Sequence, residues 1–176
     1  MHVNLREVGA RPEPVELQGQ IDISSMLKER RDIIGTDPLQ ADLRAVQSGE
    51  LVDVTGRLCT EAEFVCARCL TRFRRKIEIP FHEVFAQTPI SSETEDDAGD
   101  EEEIHYVSGP KADLIPYLEE HVLLHLPYVP LCDEDCRGLC PQCGSNRNEE
   151  ECGCVIEHID PRLAGLKQFF NQENEK

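Results

Sequence analysis

The stretch from Pro130 to Cys154, PLCDEDCRGLCPQCGSNRNEEECGC, holds six of the nine cysteines of a 176-residue chain. Cysteines at this density are paired as disulfides, bound to metal or reactive, and each outcome imposes a different fold on the segment. The first residues, MHVNLREVGARPEP, lack the basic start, apolar run and small-residue cleavage site of a secretory signal. No window reaches the eighteen or so apolar residues that a membrane span needs. These features place the chain in the cytosol, where thiols are kept reduced and cysteine clusters hold metal or do chemistry more often than they cross-link.

The spacings choose between metal and chemistry. They read Cys66-x2-Cys69, then Cys132-x3-Cys136-x3-Cys140-x2-Cys143-x8-Cys152-x-Cys154. Two thiolates separated by two residues on a tight turn present both sulfurs to one tetrahedral ion, with zinc the usual occupant of a four-cysteine site. Gly144 after Cys143 relieves crowding where such a turn folds back. Cys140, Cys143, Cys152 and Cys154 therefore make one self-contained site, closed by the hydrophilic connector SNRNEEE. The remaining pairs, Cys66 with Cys69 and Cys132 with Cys136, make a second site. Such a site would pin a hairpin to the segment after the first long helix, and closing a long loop restrains the unfolded chain most. A competing partition, Cys132, Cys136, Cys140 and Cys143 on one ion and Cys66, Cys69, Cys152 and Cys154 on the other, stays open. One or two structural zinc ions are the expected cofactor.

Catalysis has little support. An all-thiolate site is closed, whereas catalytic zinc keeps an open position. The iron–sulfur run C-x2-C-x2-C-x3-C-P is absent, and Cys66-x2-Cys69 lies between strands rather than in the βαβ setting of a thioredoxin-like pair. His121 and His125 stand four apart but lack the glutamate of H-E-x-x-H, because Val122 fills that place. Cys59 reads as a lone thiol. No phosphate loop or nucleophile elbow is present, and the chain is read as not an enzyme.

Periodicity assigns the rest. From Val52 to Cys66 the even positions, Val52, Val54, Leu58, Ala62 and Phe64 among them, are apolar or small and most odd ones are polar, the period of a half-buried strand. Alternation resumes with Phe73, Ile77, Ile79 and Phe81, so the two runs form a hairpin that turns at Cys66–Cys69. VELQGQIDIS and LQADLRAV supply further strands. Asp113 caps a helix at about 113–126 carrying Leu114, Leu118, Val122 and Leu126 and ended by Pro127. A second helix begins at Asp160-Pro161 and buries Leu163, Leu166 and Phe170. The expectation is an α+β fold: an antiparallel sheet domain over 1–131, then a cysteine-rich zinc module and C-terminal helix over 132–176.

Charge bears on partners. The net charge of −17 argues against a protein that coats nucleic acid. Eight of the acids, with no base, fall in residues 93–103, part of a disordered acidic loop at about 91–103. One stretch runs the other way: CARCLTRFRRK, with Arg68, Arg72, Arg74, Arg75 and Lys76 and no acid. Some of these cations balance the −2 of a tetrathiolate zinc, but five exceed that need. Arg72, Arg74 and Lys76 share the outward parity that suits phosphate contacts on structured RNA.

The order of CARC in a hairpin, an acidic insert, a helix running into LPYVPLC, then EDCRGLCPQCGSNRN, CGC and IDPRLAGLKQF resembles the YceD family, large ribosomal RNA subunit accumulation proteins of bacteria and plant organelles. The resemblance covers most of the chain and is strongest over 66–76 and 126–169. It implies a non-enzymatic role in the synthesis, processing or stability of 23S ribosomal RNA, and so in large-subunit assembly, with that RNA or its precursor as partner. It supplies no established binding residues. Two alternatives remain: an adaptor that reaches the RNA only through ribosomal proteins or assembly factors, and a thiol redox or metal switch.

Overall fold

Two long strands carry the architecture because their alternation runs almost without a break. The computed structural model describes residues 1–87 and 104–154, and the described chain divides into two units. The first comprises Met1–Ala67 and Thr71–Cys132; the second comprises Arg68–Leu70 and the chain from Asp133.

In the first unit, β1 (His2–Asn4), α1 (Leu5–Gly9), β2 (Val15–Ile21), β3 (Ile33–Thr36) and β4 (Leu39–Ser48) precede the hairpin of β5 (Leu51–Val65) and β6 (Arg72–Gln87). β7 (Ile104–Val107), β8 (Lys111–Asp113) and α2 (Ile115–His125) follow. The main sheet runs β2-β4-β5-β6-β7, and β3 pairs with β5 where β4 leaves off. Pro38 lies at that break, since it has no N–H for a ladder. The gap is bridged by Asp37, whose N–H donates to Glu61 O and whose carbonyl accepts from Thr60 Oγ1.

The hairpin register places Phe64 opposite Phe73, Ala62 opposite Arg75 and Leu58 opposite Ile79. Val54, Leu58, Phe64, Ile79, Phe81 and Phe85 line the buried face, together with Leu114, Leu118 and Val122 from the helical segment. Each large apolar side chain buried there contributes about 1.5–3 kcal/mol. The core is aliphatic with a few phenylalanines, in keeping with a chain that has no tryptophan.

Three differences from the sequence reading have physical causes. β7 joins β6 in parallel rather than antiparallel fashion; alternation reports which face is buried and is blind to the direction of the neighbour. The helix begins at Ile115 with Leu114 as its cap residue, because Asp113 is committed to β8 opposite His2. Asp113 still serves the helix end, its carboxylate accepting from the Ile115 N–H at 3.2 Å. The small β1–β8 sheet and α1, too short to show a period, went unread. The acidic loop and the helix expected from Asp160 lie outside the described residues.

The second unit has little regular structure among its described residues. Its organising contacts are a bridge between Leu139 and Asn146, an Arg147 N–H to Gly138 carbonyl bond and an Asn146 turn. The Asn146 carboxamide oxygen accepts from the Asn148 N–H, and its amide donates to Glu149. The connector SNRNEEE folds back through these bonds.

Candidate metal centre

Cys140 and Cys143 sit on one turn. The Cys140 N–H donates to Ser145 O and the Gly144 N–H to Cys140 O, both at 2.8 Å. Closing the turn puts Gly144 at φ +76°, in the left-handed region that glycine adopts without penalty. The sulfurs of Cys140, Cys143, Cys152 and Cys154 all lie within 4.8 Å of one another. Tetrahedral zinc with bonds near 2.3 Å separates its sulfurs by about 3.8 Å, so the set fits that ion with small adjustments. Cys140 is buried and Cys143 exposed.

The surroundings favour thiolates. Backbone N–H groups of Cys143 and then Gln142 pull the Cys140 thiol below its usual range. The Ser145 hydroxyl, 3.0 Å from Cys143 Sγ, and then its N–H bring Cys143 down to about 6. Cys154 is pushed up to about 12, first by its hydrogen bond with Cys143 and then by burial. Deprotonation of Cys140 and Cys143 is favoured by these contacts, and the deprotonated thiol is the form that ligates a divalent cation.

Cys66, Cys69, Cys132 and Cys136 are the other set of four that could hold a metal ion. The turn at Cys66 matches the one at Cys140: its N–H donates to Thr71 O at 2.9 Å, and Leu70, after the second cysteine, has φ +59°. The Asn148 amide donates to Cys136 Sγ at 3.3 Å, and the Cys136 N–H bonds to Asp133 O. Gly138, φ +70°, leaves room for the Arg68 carbonyl, which would lie 2.9 Å from any Cβ there and accepts from the Leu139 N–H. Two clusters of four cysteines could therefore hold metal. Cys59 belongs to neither group.

The five cations separate by face. Arg72, Arg74 and Lys76 stand opposite Val65, Glu63 and Glu61, on the outer face. Arg74 bonds to Glu61 at 2.7 Å and Asp37 at 3.1 Å, and Lys76 to Glu78 at 2.5 Å. Glu78 in turn raises the Lys76 pKa. Arg75 shares the inner face with Ala62, lies over the Phe73 ring at 5.4 Å and donates to Leu131 O. Arg68 donates to the carbonyls of Cys136 and Glu134. Arg72 is exposed, and no partner for it occurs among the described residues.

A family model described as large ribosomal RNA subunit accumulation protein YceD matches residues 54–170. The chain belongs to the YceD family. An uncharacterized Mycobacterium tuberculosis protein is 33% identical over 179 residues, covering 99% of this chain and 84% of its own. Uncharacterized YlbN of Bacillus subtilis is 27% identical over 164 residues, covering 91% and 90%. The chloroplastic large ribosomal RNA subunit accumulation protein YCED homolog 1 of Arabidopsis thaliana is 22% identical over 172 residues, covering 85% of this chain and 54% of its own. No solved structure matches. The YceD match begins within β5, so it takes in the hairpin and both cysteine groups. No helix among the described residues is long and apolar enough to cross a membrane.

One network in this YceD chain escaped the sequence reading. Glu83 accepts from His105 at 2.5 Å and from His121 at 2.6 Å, with all three side chains largely buried. Its signal was an acid sharing odd parity with Phe81 and Phe85 on the apolar face. His125, exposed, bonds to the His121 carbonyl.

Proposed function

We propose that this protein is a non-enzymatic cytosolic factor sustaining the accumulation of 23S ribosomal RNA. It acts in that RNA's synthesis, processing or stability and hence in large-subunit assembly. Zinc held by Cys66, Cys69, Cys132 and Cys136, and by Cys140, Cys143, Cys152 and Cys154, braces the hairpin turn and the tail. Arg68, Arg72, Arg74, Arg75 and Lys76 contact the RNA or its precursor. Membership of the YceD family carries this reading. The internal ion pairs of Arg74 and Lys76 do not oppose it, because exposed pairs are worth only about 0–1 kcal/mol and exchange readily for phosphate.

The test is binding of a 23S transcript across a salt series. Replacing Arg72, Arg74, Arg75 and Lys76 together should flatten the slope of log affinity against log salt by roughly 3, at about 0.7 for each phosphate that is no longer neutralised. Indifference to that change would remove direct contact. It would leave the adaptor reading, which the net charge of −17 favours.

A further inference from the structure

In and just beyond α2 the first unit displays four exposed apolar side chains within seven residues of chain. Leu123 is 46% exposed, Leu124 75%, Tyr128 94% and Val129 55%. The segment bearing the last two is firmly held. Arg30 Nη2 donates to Pro127 O at 2.9 Å, the Ala67 N–H to Pro130 O at 2.9 Å, and Arg75 Nη2 to Leu131 O at 2.8 Å. With prolines at 127 and 130 as well, Tyr128 is presented on a backbone whose ordering entropy is already lost. Anchors pre-organised in this way cost little to bind.

The charge beside them is negative. Glu119 and Glu120 precede Leu123 and Leu124 by four residues and so share their faces of the helix, and α2 contains no lysine or arginine. The Arg30 guanidinium nearby is neutralised by Asp32 at 2.6 Å. Carboxylates here repel phosphate and attract cations. We propose that Leu123, Leu124, Tyr128 and Val129, with Glu119 and Glu120, form a docking surface for a basic protein segment carrying an apolar or aromatic anchor. Proteins that bind RNA have the lysine and arginine this requires, and the net charge of −17 steers such partners toward the surface. This inference stands apart from RNA contact at the hairpin.

The probes are individually purified proteins of the large ribosomal subunit from the same organism, with polylysine and a 23S transcript as controls. At least one ribosomal protein should bind the full chain and lose at least about tenfold in affinity on Tyr128→Ala or Leu124→Glu, a modest hot-spot effect. Glu119→Gln with Glu120→Gln should reduce the salt dependence of that complex. Polylysine and transcript binding should not respond to Tyr128→Ala. The proposal is overturned if no ribosomal protein binds, if binding ignores both apolar changes, or if Tyr128→Ala weakens the transcript instead. Shielding of Tyr128 in the isolated protein, by a second copy or by another part of the chain, would also overturn it. Loss of transcript binding on changing Arg72, Arg74 and Lys76, with Arg75 kept because it holds Leu131 and with the protein complex intact, separates the two surfaces.

Discussion

Leu70 and Gly144 occupy the same place in two copies of one turn, each following the second cysteine of a C-x2-C pair with φ of +59° and +76°. For an L-residue this region costs about 1–2 kcal/mol. Leu70 is 62% exposed and has little burial to offset it. Leu70→Gly should therefore leave stability unchanged or raise it by up to about 1 kcal/mol. Gly144→Val should lower the affinity for zinc, and competition against a chromogenic chelator measures both variants. Loss of zinc from Leu70→Gly would show that the side chain matters and the backbone strain does not.

Arg30 and Asp32 form a two-point ion pair, Nε to Oδ1 at 2.8 Å and Nη2 to Oδ2 at 2.6 Å, with each side chain under a third exposed. The hydrogen bonds from Arg30 lower the Asp32 pKa. A carboxylate held low in the folded state contributes its stability fully above the unfolded value, about 3.9, and loses it as pH falls through the folded value. Denaturation followed from pH 7 downward should show this decline below about pH 4. Asp32→Asn should cost about 1 kcal/mol at pH 7 and remove that part of the slope. An unchanged slope in the variant would assign acid sensitivity to other carboxylates.

Glu83 accepts from two imidazoles at once. Glu83→Ala strands both in a largely buried site and should destabilise by about 1–3 kcal/mol, read by chemical denaturation. Glu83→Gln can still accept from one ring through its carbonyl and should cost less. Equal losses from both variants would indicate that the charge, and not the hydrogen bonding, holds β6, β7 and α2 together.

How much of this was legible depended on distance along the chain. The even-position run from Val52 to Phe64 and the odd-position run from Phe73 to Phe81 yielded the long hairpin, because burial on one face is written residue by residue. The cysteine groups were legible as two sets of spacings, though the partition rested on spacing alone. Less visible were contacts between distant segments: the parallel neighbour of β6, the histidines that meet Glu83, and the acids that meet the outer cations. The last could have been inferred. A hairpin turning at Cys66–Cys69 necessarily brings Glu63 opposite Arg74 and Glu61 opposite Lys76. The stripe of Leu114, Leu118, Val122 and Leu126 already leaves Leu124 on the opposite face of α2, whereas Tyr128 lies beyond the helix, where no period announces its exposure.

The central claim is that the eight grouped cysteines hold metal and do not cross-link. Native mass spectrometry of the full chain, purified without added metal or chelator, tests it most directly. The account predicts two zinc ions per chain, one for each sulfur group, falling to one in Cys143→Ser. A metal-free chain with its cysteines in disulfides, or a zinc content that Cys143→Ser leaves unchanged, would contradict it.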